Sequence, residues 1–168
     1  HGPFLGKYTS HIGTILPFEK EHWLPFTRNV SYVGNPLLED LRKPREKLPL
    51  SEKNPGVLAL LPGSRRSEIQ TMLPQMLCVA EQIHEKYPQM ELLLSQAPML
   101  PEELFENIPE YITVQKGDFE ELLHRADLAV VTSGTATLHA ALAHVPHAII
   151  YQTSRLNYLI IRLFVKGL

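Results

Sequence analysis

The sequence has a single cysteine, no long apolar run and no excess charge of either sign. With Cys78 alone the chain cannot form an internal disulfide, and nothing in it indicates secretion. No stretch approaches the roughly 18 consecutive apolar residues that a membrane-spanning helix needs. The formal net charge of −2 gives no electrostatic case for nucleic acid as a partner. What remains is an ordinary globular composition, with 44% hydrophobic and 20% charged residues.

Several well-known binding signatures are also missing. The chain contains neither the Gly-x-x-x-x-Gly-Lys-Ser/Thr of P-loop NTPases nor the Gly-x-Gly-x-x-Gly of dinucleotide-binding folds. None of the eight histidines lies in a His-x-x-x-His or Cys-x-x-Cys arrangement with a nearby carboxylate. The sequence therefore predicts no metal site and no cofactor.

One segment that is present, residues 58–69, has the pattern of a strand, a tight turn and a helix start. The apolar run Leu58–Leu61 ends in Pro62 and Gly63, and Ser64 and Arg65 follow. Glycine allows a ligand close to the backbone, a helix N-terminus attracts anions, and arginine adds bidentate positive charge. The segment suits a phosphate or diphosphate. The alternative is a plain turn whose arginines are solvated.

From residue 56 onward, strand-like and helix-like segments alternate, which predicts an α/β fold with a parallel sheet and helices on both faces. Pro74 lies inside the longest helical pattern, 68–87, and is predicted to kink or restart that helix. Residues 37–55 are charged, contain three prolines and lack periodicity, so we predict a linker there. The predicted strands are 57–61, 91–95, 111–114, 128–131 and 148–151, and the other predicted helices are 102–108, 118–125, 135–143 and 156–165.

A second anion-ready turn, residues 132–137, follows a predicted strand and opens a helix. Gly134 allows close backbone approach, Ala136 is small, and Ser133, Thr135 and Thr137 supply hydroxyl groups. The alternative is a helix capped by Ser133 or Thr135. In parallel sheets ligands bind beyond the carboxyl ends of the strands. Two such turns at one sheet edge favour a diphosphate more than either turn does alone.

Four motifs in this order and spacing resemble the lipid-A-disaccharide synthase family. They are Ile15-Leu16-Pro17-Phe18-Glu19, Val33-Gly34-Asn35-Pro36-Leu37, Leu60-Leu61-Pro62-Gly63-Ser64-Arg65 with Glu68-Ile69, and Ser133-Gly134-Thr135-Ala136-Thr137-Leu138. The peptidoglycan glycosyltransferase that uses UDP-N-acetylglucosamine has similar second and fourth motifs. Its phosphate loop, however, is typically Gly-Gly-Ser rather than Pro-Gly-Ser-Arg.

The resemblance implies a GT-B glycosyltransferase with two Rossmann-like domains, of which this chain holds an incomplete part. Residues 1–36 would end the N-terminal acceptor domain, 37–55 would be the linker, and 56–168 would be a truncated C-terminal nucleotide-sugar domain. The implied reaction joins UDP-2,3-diacylglucosamine to 2,3-diacylglucosamine 1-phosphate. The family's catalytic aspartate lies in the N-terminal domain, so the fragment alone is expected to be inactive.

The resemblance also carries roles to individual positions. Gly63, Ser64 and Arg65 would face the UDP phosphates, with Arg65 catalytic. Ser133, Gly134, Thr135, Ala136 and Thr137 would approach the diphosphate and sugar, and Gly117 would lie near the uracil. His139 stands where the family usually has a glutamate that holds the ribose. Gln152 stands where arginine is common, and Asn35 where histidine is.

The remaining expectations concern partners and location. The resemblance implies a cytoplasmic enzyme, peripheral at the inner membrane of a Gram-negative-type bacterium, and it allows a homodimer. Arg155, Arg162 and Lys166 around the apolar segment 156–165 would suit a helix lying near an anionic surface. The alternatives are a noncatalytic nucleotide-sugar-binding module, the related UDP-N-acetylglucosamine glycosyltransferase, or an epimerase of the same fold.

Overall fold

The computed structural model describes residues 2–36 and 56–152. The chain divides into two compact units, residues 1–42 and 43–168. The predicted linker 37–55 and the predicted helix 156–165 with its basic neighbours lie outside the described residues.

The first unit is a small α/β piece. Its two short strands, β1 and β2, pair in parallel, with Ile12 opposite Val30. The helix Gly2–Tyr8 was not predicted, because two glycines in seven residues disfavour a helix. The elements are α1 (Gly2–Tyr8), β1 (Ile12–Thr14), α2 (Glu19–Trp23) and β2 (Val30–Tyr32).

The second unit contains a five-stranded sheet in which every strand pairing is parallel. The predicted strands all form, each within two residues of its expected bounds. The elements are β3 (Val57–Leu61), α3 (Arg66–Lys86), β4 (Glu91–Gln96), a 3₁₀ turn (Glu102–Phe105), β5 (Ile112–Lys116), α4 (Phe119–Arg125), β6 (Leu128–Thr132), α5 (Thr135–Leu142) and β7 (His147–Ile150).

The strand order across this sheet is β5-β4-β3-β6-β7. The chain builds outward from β3 through β4 to β5, and then returns to the other side of β3 with β6 and β7. The direction of winding therefore reverses between β3 and β6. In open parallel sheets the crevice at such a reversal, outside the carboxyl ends of the strands, is where ligands bind.

Both faces of the sheet are covered, so its central strand is apolar throughout. Leu58 and Leu60 of β3 pack with Ile69 and Met76 of α3. Ala59 and Leu61 belong to a second cluster on the opposite face, with Leu122 and Leu123 of α4, Val131 of β6 and Ala140 of α5. A strand buried on both faces reads as a continuous hydrophobic run, as β3 does. The predicted parallel α/β sheet with helices on both faces is confirmed.

Pro74 does not restart helix α3. The helix runs without interruption from Arg66 to Lys86, with Pro74 on its exposed side and Leu73 and Met76 buried. Proline removes the backbone hydrogen bond to the carbonyl of Gln70. The burial of the flanking apolar residues offsets that loss, because packing rather than propensity supplies most helical stability in proteins.

Replacing Pro74 with alanine should therefore stabilise the chain. The substitution restores a backbone donor in a helix interior, and we expect the free energy of unfolding to rise by about 1–3 kcal/mol. Urea unfolding followed by circular dichroism measures the change. Gln75→Ala, at the exposed neighbouring position, should shift stability by less than about 0.5 kcal/mol. A Pro74→Ala protein no more stable than the parent chain would contradict this account.

Candidate nucleotide-diphosphate site

A cavity of about 620 Å³ lies in the second unit at the carboxyl ends of β3, β4 and β6. Nine of the ten site residues predicted from the sequence line it: Gly63, Ser64, Arg65, Gly117, Ser133, Gly134, Thr135, Ala136 and His139. Thr137 is the exception. Its hydroxyl donates a 2.6 Å hydrogen bond to the carbonyl of Gly134, so it ties the loop to its own helix and does not line the cavity.

The turn after β3 is organised by Glu68, a residue that sequence reasoning did not place in the site. Its Oε2 atom accepts hydrogen bonds from the backbone N–H groups of Ser64, at 3.0 Å, and Arg65, at 3.3 Å. Its Oε1 atom lies 2.8 Å from Nη1 of Arg65. The turn does bind an anion, but in this structure that anion is the protein's own carboxylate.

This arrangement also explains why residue 63 is glycine. Gly63 has a φ of +111°, in the left-handed region that favours glycine. A Cβ atom at this position would lie 2.4 Å from Oε2 of Glu68 and 2.9 Å from its Cβ. The glycine therefore makes room for Glu68, whereas the sequence had suggested that it makes room for a ligand.

In the turn after β6, no side-chain bond caps the helix that follows. Gly134 is the N-cap residue of α5 and makes no side-chain capping bond. Neither Ser133 nor Thr135 caps this helix, contrary to the alternative considered from the sequence. A Cβ atom on Gly134 would meet nothing within 4 Å, so the loop opens into free space. The positive end of the α5 dipole faces that opening, which suits an anionic ligand.

The floor of the cavity is polar. Sequence reasoning included Thr132 in the second anion-ready turn but missed Ser95 and Gln96. Ser95, Gln96 and Thr132 end two strands beside β3; each is more than nine-tenths buried and lines the cavity. The Oγ1 atom of Thr132 is buried and has no hydrogen-bond partner among the described residues. The sequence signal for this polar floor was the polar residue at the end of each apolar strand, because a polar side chain is costly to bury without a hydrogen-bond partner.

The third side of the cavity is formed by the turn between β5 and α4. Asp118 caps α4, with Oδ1 accepting the N–H of Glu121 at 3.1 Å. The ring of Phe119 meets the ring of His139 edge-on, with centroids 5.3 Å apart. Nδ1 of His139 is buried and makes no hydrogen bond within the described residues. Burial lowers the pKa of His139, and the carboxylate of Glu120 opposes that decrease. Desolvation therefore favours the neutral form of this ring.

Two features are absent from the residues that the structure describes. Within 2–36 and 56–152, no group of three or more histidine, cysteine, aspartate or glutamate side chains could hold a metal ion. In the same ranges no helix has the length and apolarity needed to cross a membrane.

Comparison with known proteins fits this geometry. The family model described as lipid-A-disaccharide synthetase matches residues 3–167. The chain belongs to this family. It is 35% identical over 162 residues to the lipid-A-disaccharide synthase of Myxococcus xanthus, which covers 90% of this chain and 42% of that protein. It is 35% identical over 165 residues to the enzyme of Syntrophus aciditrophicus and 34% identical over 173 residues to that of Idiomarina loihiensis, covering 92% and 93% of this chain.

The family match identifies the family to which the chain belongs. It does not mean that the chain is as long as the other members of the family. The chain spans less than half the length of these relatives, 42% to 44%. The α/β sheet of the second unit is the Rossmann-like element of the family's GT-B fold. Membership of the lipid-A-disaccharide synthase family is favoured over the peptidoglycan glycosyltransferase and the epimerase.

The environment of His139 predicts a specific pH dependence of stability. Because burial lowers the folded-state pKa below the ordinary value of 6.5, the unfolded chain takes up this proton first as the pH falls. The stability that the neutral ring contributes is fully present above about pH 6.5 and is lost as the pH falls through the folded-state pKa. The His139→Gln variant should therefore lose less stability than the parent chain between about pH 7.5 and pH 5, as measured by urea unfolding.

The control is His144→Asn, which changes an exposed histidine just beyond the same helix. This variant should keep the parent's pH dependence, since the half-buried ring of His139 is intact. If His139→Gln and the parent chain lose the same amount of stability on acidification, the histidine is not held neutral by burial.

Proposed function

We propose that this chain carries the donor-nucleotide half of a glycosyltransferase of lipid A biosynthesis. The observation that carries the proposal is the cavity at the point where the winding of the sheet reverses. Arg65 and the first residues of α5 both line this cavity. Family membership supplies the chemical class. The proposed donor is UDP-2,3-diacylglucosamine and the proposed acceptor is 2,3-diacylglucosamine 1-phosphate, with lipid A disaccharide 1-phosphate and UDP as products.

The proposed mechanism rests on charge stabilisation in the leaving group. As the bond between the donor sugar and the β-phosphate breaks, negative charge builds on UDP. The guanidinium of Arg65 and the N-terminus of α5 are placed to stabilise that charge before the reaction begins. Preorganised donors of this kind typically contribute about 10²–10³-fold each to the rate. No metal ion is required in this mechanism, because these groups take its place.

The setting of the enzyme is part of the same proposal. A diacylated donor and acceptor belong to a membrane surface, so we place the protein at the cytoplasmic face of an inner membrane, in peripheral contact with lipid. A homodimer is compatible with this arrangement.

A noncatalytic nucleotide-sugar-binding module is the second candidate, and one observation favours it. His139 is neutral and has a single acceptor nitrogen, so it can accept a hydrogen bond from only one ribose hydroxyl. A glutamate at this position would accept from both. A module that catalyses no reaction tolerates weaker nucleotide binding, whereas an enzyme must hold its donor during the reaction.

The proposed function predicts that the chain binds UDP and that Arg65 matters more than Arg66. Without an acceptor half we expect weak binding, with Kd on the order of 0.1–1 mM. Arg65 borders the cavity and Arg66 does not. Arg65→Ala should therefore weaken UDP binding by about tenfold or more, the worth of a charge-assisted hydrogen bond, while Arg66→Ala should change it less than about twofold. NMR titration of each isotope-labelled protein gives the three affinities.

Equal, small losses for both arginine variants would mean that the two side chains are solvated surface charges. No UDP-dependent shifts in the parent chain would remove the proposed function altogether.

Restoring the family's usual residue at position 139 should improve binding. His139→Glu supplies two acceptor oxygens at the edge of the cavity, and an additional charge-assisted hydrogen bond to ribose should tighten UDP binding by about tenfold or more. UMP should gain as much, because the ribose is common to both nucleotides. The comparison needs one titration per nucleotide at a fixed pH. Unchanged or weaker UDP affinity would show that the ribose is held by other residues.

A further inference from the structure

The family resemblance placed Ser64 and Arg65 at the ligand. In the structure, however, the carboxylate of Glu68 already accepts the backbone N–H groups of both residues. Its carboxylate makes three contacts at once, with two backbone N–H groups and one guanidinium nitrogen. The side chain of Glu68 is 28% exposed and that of Arg65 is 79% exposed. The carboxylate thus lies within the turn, while the largely exposed Arg65 lines the cavity.

The choice of residue at the helix start argues against a purely stabilising role for this pair. Arg65 is the N-cap of α3, a position where serine, threonine, asparagine and aspartate stabilise helices and arginine does not. Glu68, at position N3, accepts the backbone N–H of Arg65, which is the bond that the N3 residue makes in a capping box. An exposed ion pair adds little stability on its own. Arginine at this position therefore needs a reason other than helix stability, and its place at the cavity supplies one.

We infer that Glu68 is a positioning residue for the donor diphosphate: it holds the turn and fixes the guanidinium of Arg65 so that its free edge faces the ligand. This inference rests on the proposed function. Glu68 binds Nη1 alone, which leaves Nη2 and Nε of the same planar group for phosphate oxygens. The diphosphate then lies between Arg65 and the N-terminus of α5, and does not use the backbone N–H groups of Ser64 and Arg65.

Two substitutions separate the tasks of Glu68. Glu68→Gln keeps one acceptor oxygen for the backbone of Ser64 and Arg65, but its amide nitrogen cannot accept from the guanidinium. Glu68→Ala removes both functions. Glu68→Gln should weaken UDP binding by about three- to tenfold with little loss of stability, because the turn survives while the arginine is released. Glu68→Ala should weaken binding at least as much and should also lower the midpoint of urea unfolding.

The decisive measurement is a double-mutant cycle with Arg65→Ala, using NMR titration with UDP on the whole chain. If Glu68 acts through the arginine, Glu68→Gln should change affinity by less than about twofold once Arg65 is already alanine. A turn that was merely distorted would lose affinity equally in both backgrounds, and that result would overturn the inference. Glu81→Gln, an exposed carboxylate on the same helix, should leave UDP affinity unchanged.

Two other outcomes are informative in opposite ways. Tighter UDP binding by Glu68→Gln would make Glu68 a competitor that the diphosphate must displace, and the positioning role would be wrong while the proposed function stood. Absence of UDP binding by the parent chain would remove the proposed function and this inference together.

Discussion

The structure of the second unit depends on the burial of β3 between two parallel neighbours and two helical layers. Leu60 meets α3 on one face, and Leu61 packs against the α4–α5 side on the other. Because β4 and β6 pair with β3 in parallel, all three strands end at one edge. The turns carrying Arg65 and Gly134 are thereby brought together, although they are about seventy residues apart in sequence. The site follows from strand direction and winding order before any ligand is considered.

Within that site the two helix starts have different tasks. In the turn before α3, the carboxylate of Glu68 accepts the N–H groups of Ser64 and Arg65, and Arg65 lines the cavity. In the turn before α5, the N-cap residue is Gly134 and no side-chain bond caps the helix, whose positive end lies at the cavity. One side offers a positioned guanidinium and the other offers backbone groups. A diphosphate has negatively charged oxygen atoms on both of its phosphate groups. A site with two kinds of donor can bind both phosphate groups.

Sequence reasoning found the fold and the two turns because their signals are local. The run Leu58–Leu61 is too short for a buried helix and ends in Pro-Gly, so its structure could be assigned from a few residues. The task of Glu68 could not be assigned in this way. A glutamate three residues into a helix looks like any solvated charge, and only the three-dimensional path of the turn shows that its oxygens face Ser64 and Arg65.

Two local expectations took no account of three-dimensional structure. Pro74 was expected to kink or restart α3, but the helix does not restart, because tertiary packing of Leu73 and Met76 overrides the local preference. The resemblance placed Thr137 at the ligand, and that role stays a prediction. In the structure the helix turns the Thr137 hydroxyl back onto the carbonyl of Gly134, where a hydroxyl competes well for a backbone acceptor. Spacing in sequence indicated which residues are near the site, but not which way they face.

The buried hydroxyl of Thr132 has a consequence for attempts to improve this protein by selection. Its Oγ1 atom makes no hydrogen bond within the described residues, so the isosteric change to valine removes no such bond from the fold. A library screened for thermal stability alone will therefore accept that change at the floor of the cavity. Screening for ligand retention in the same rounds would reject it if the hydroxyl binds the ligand.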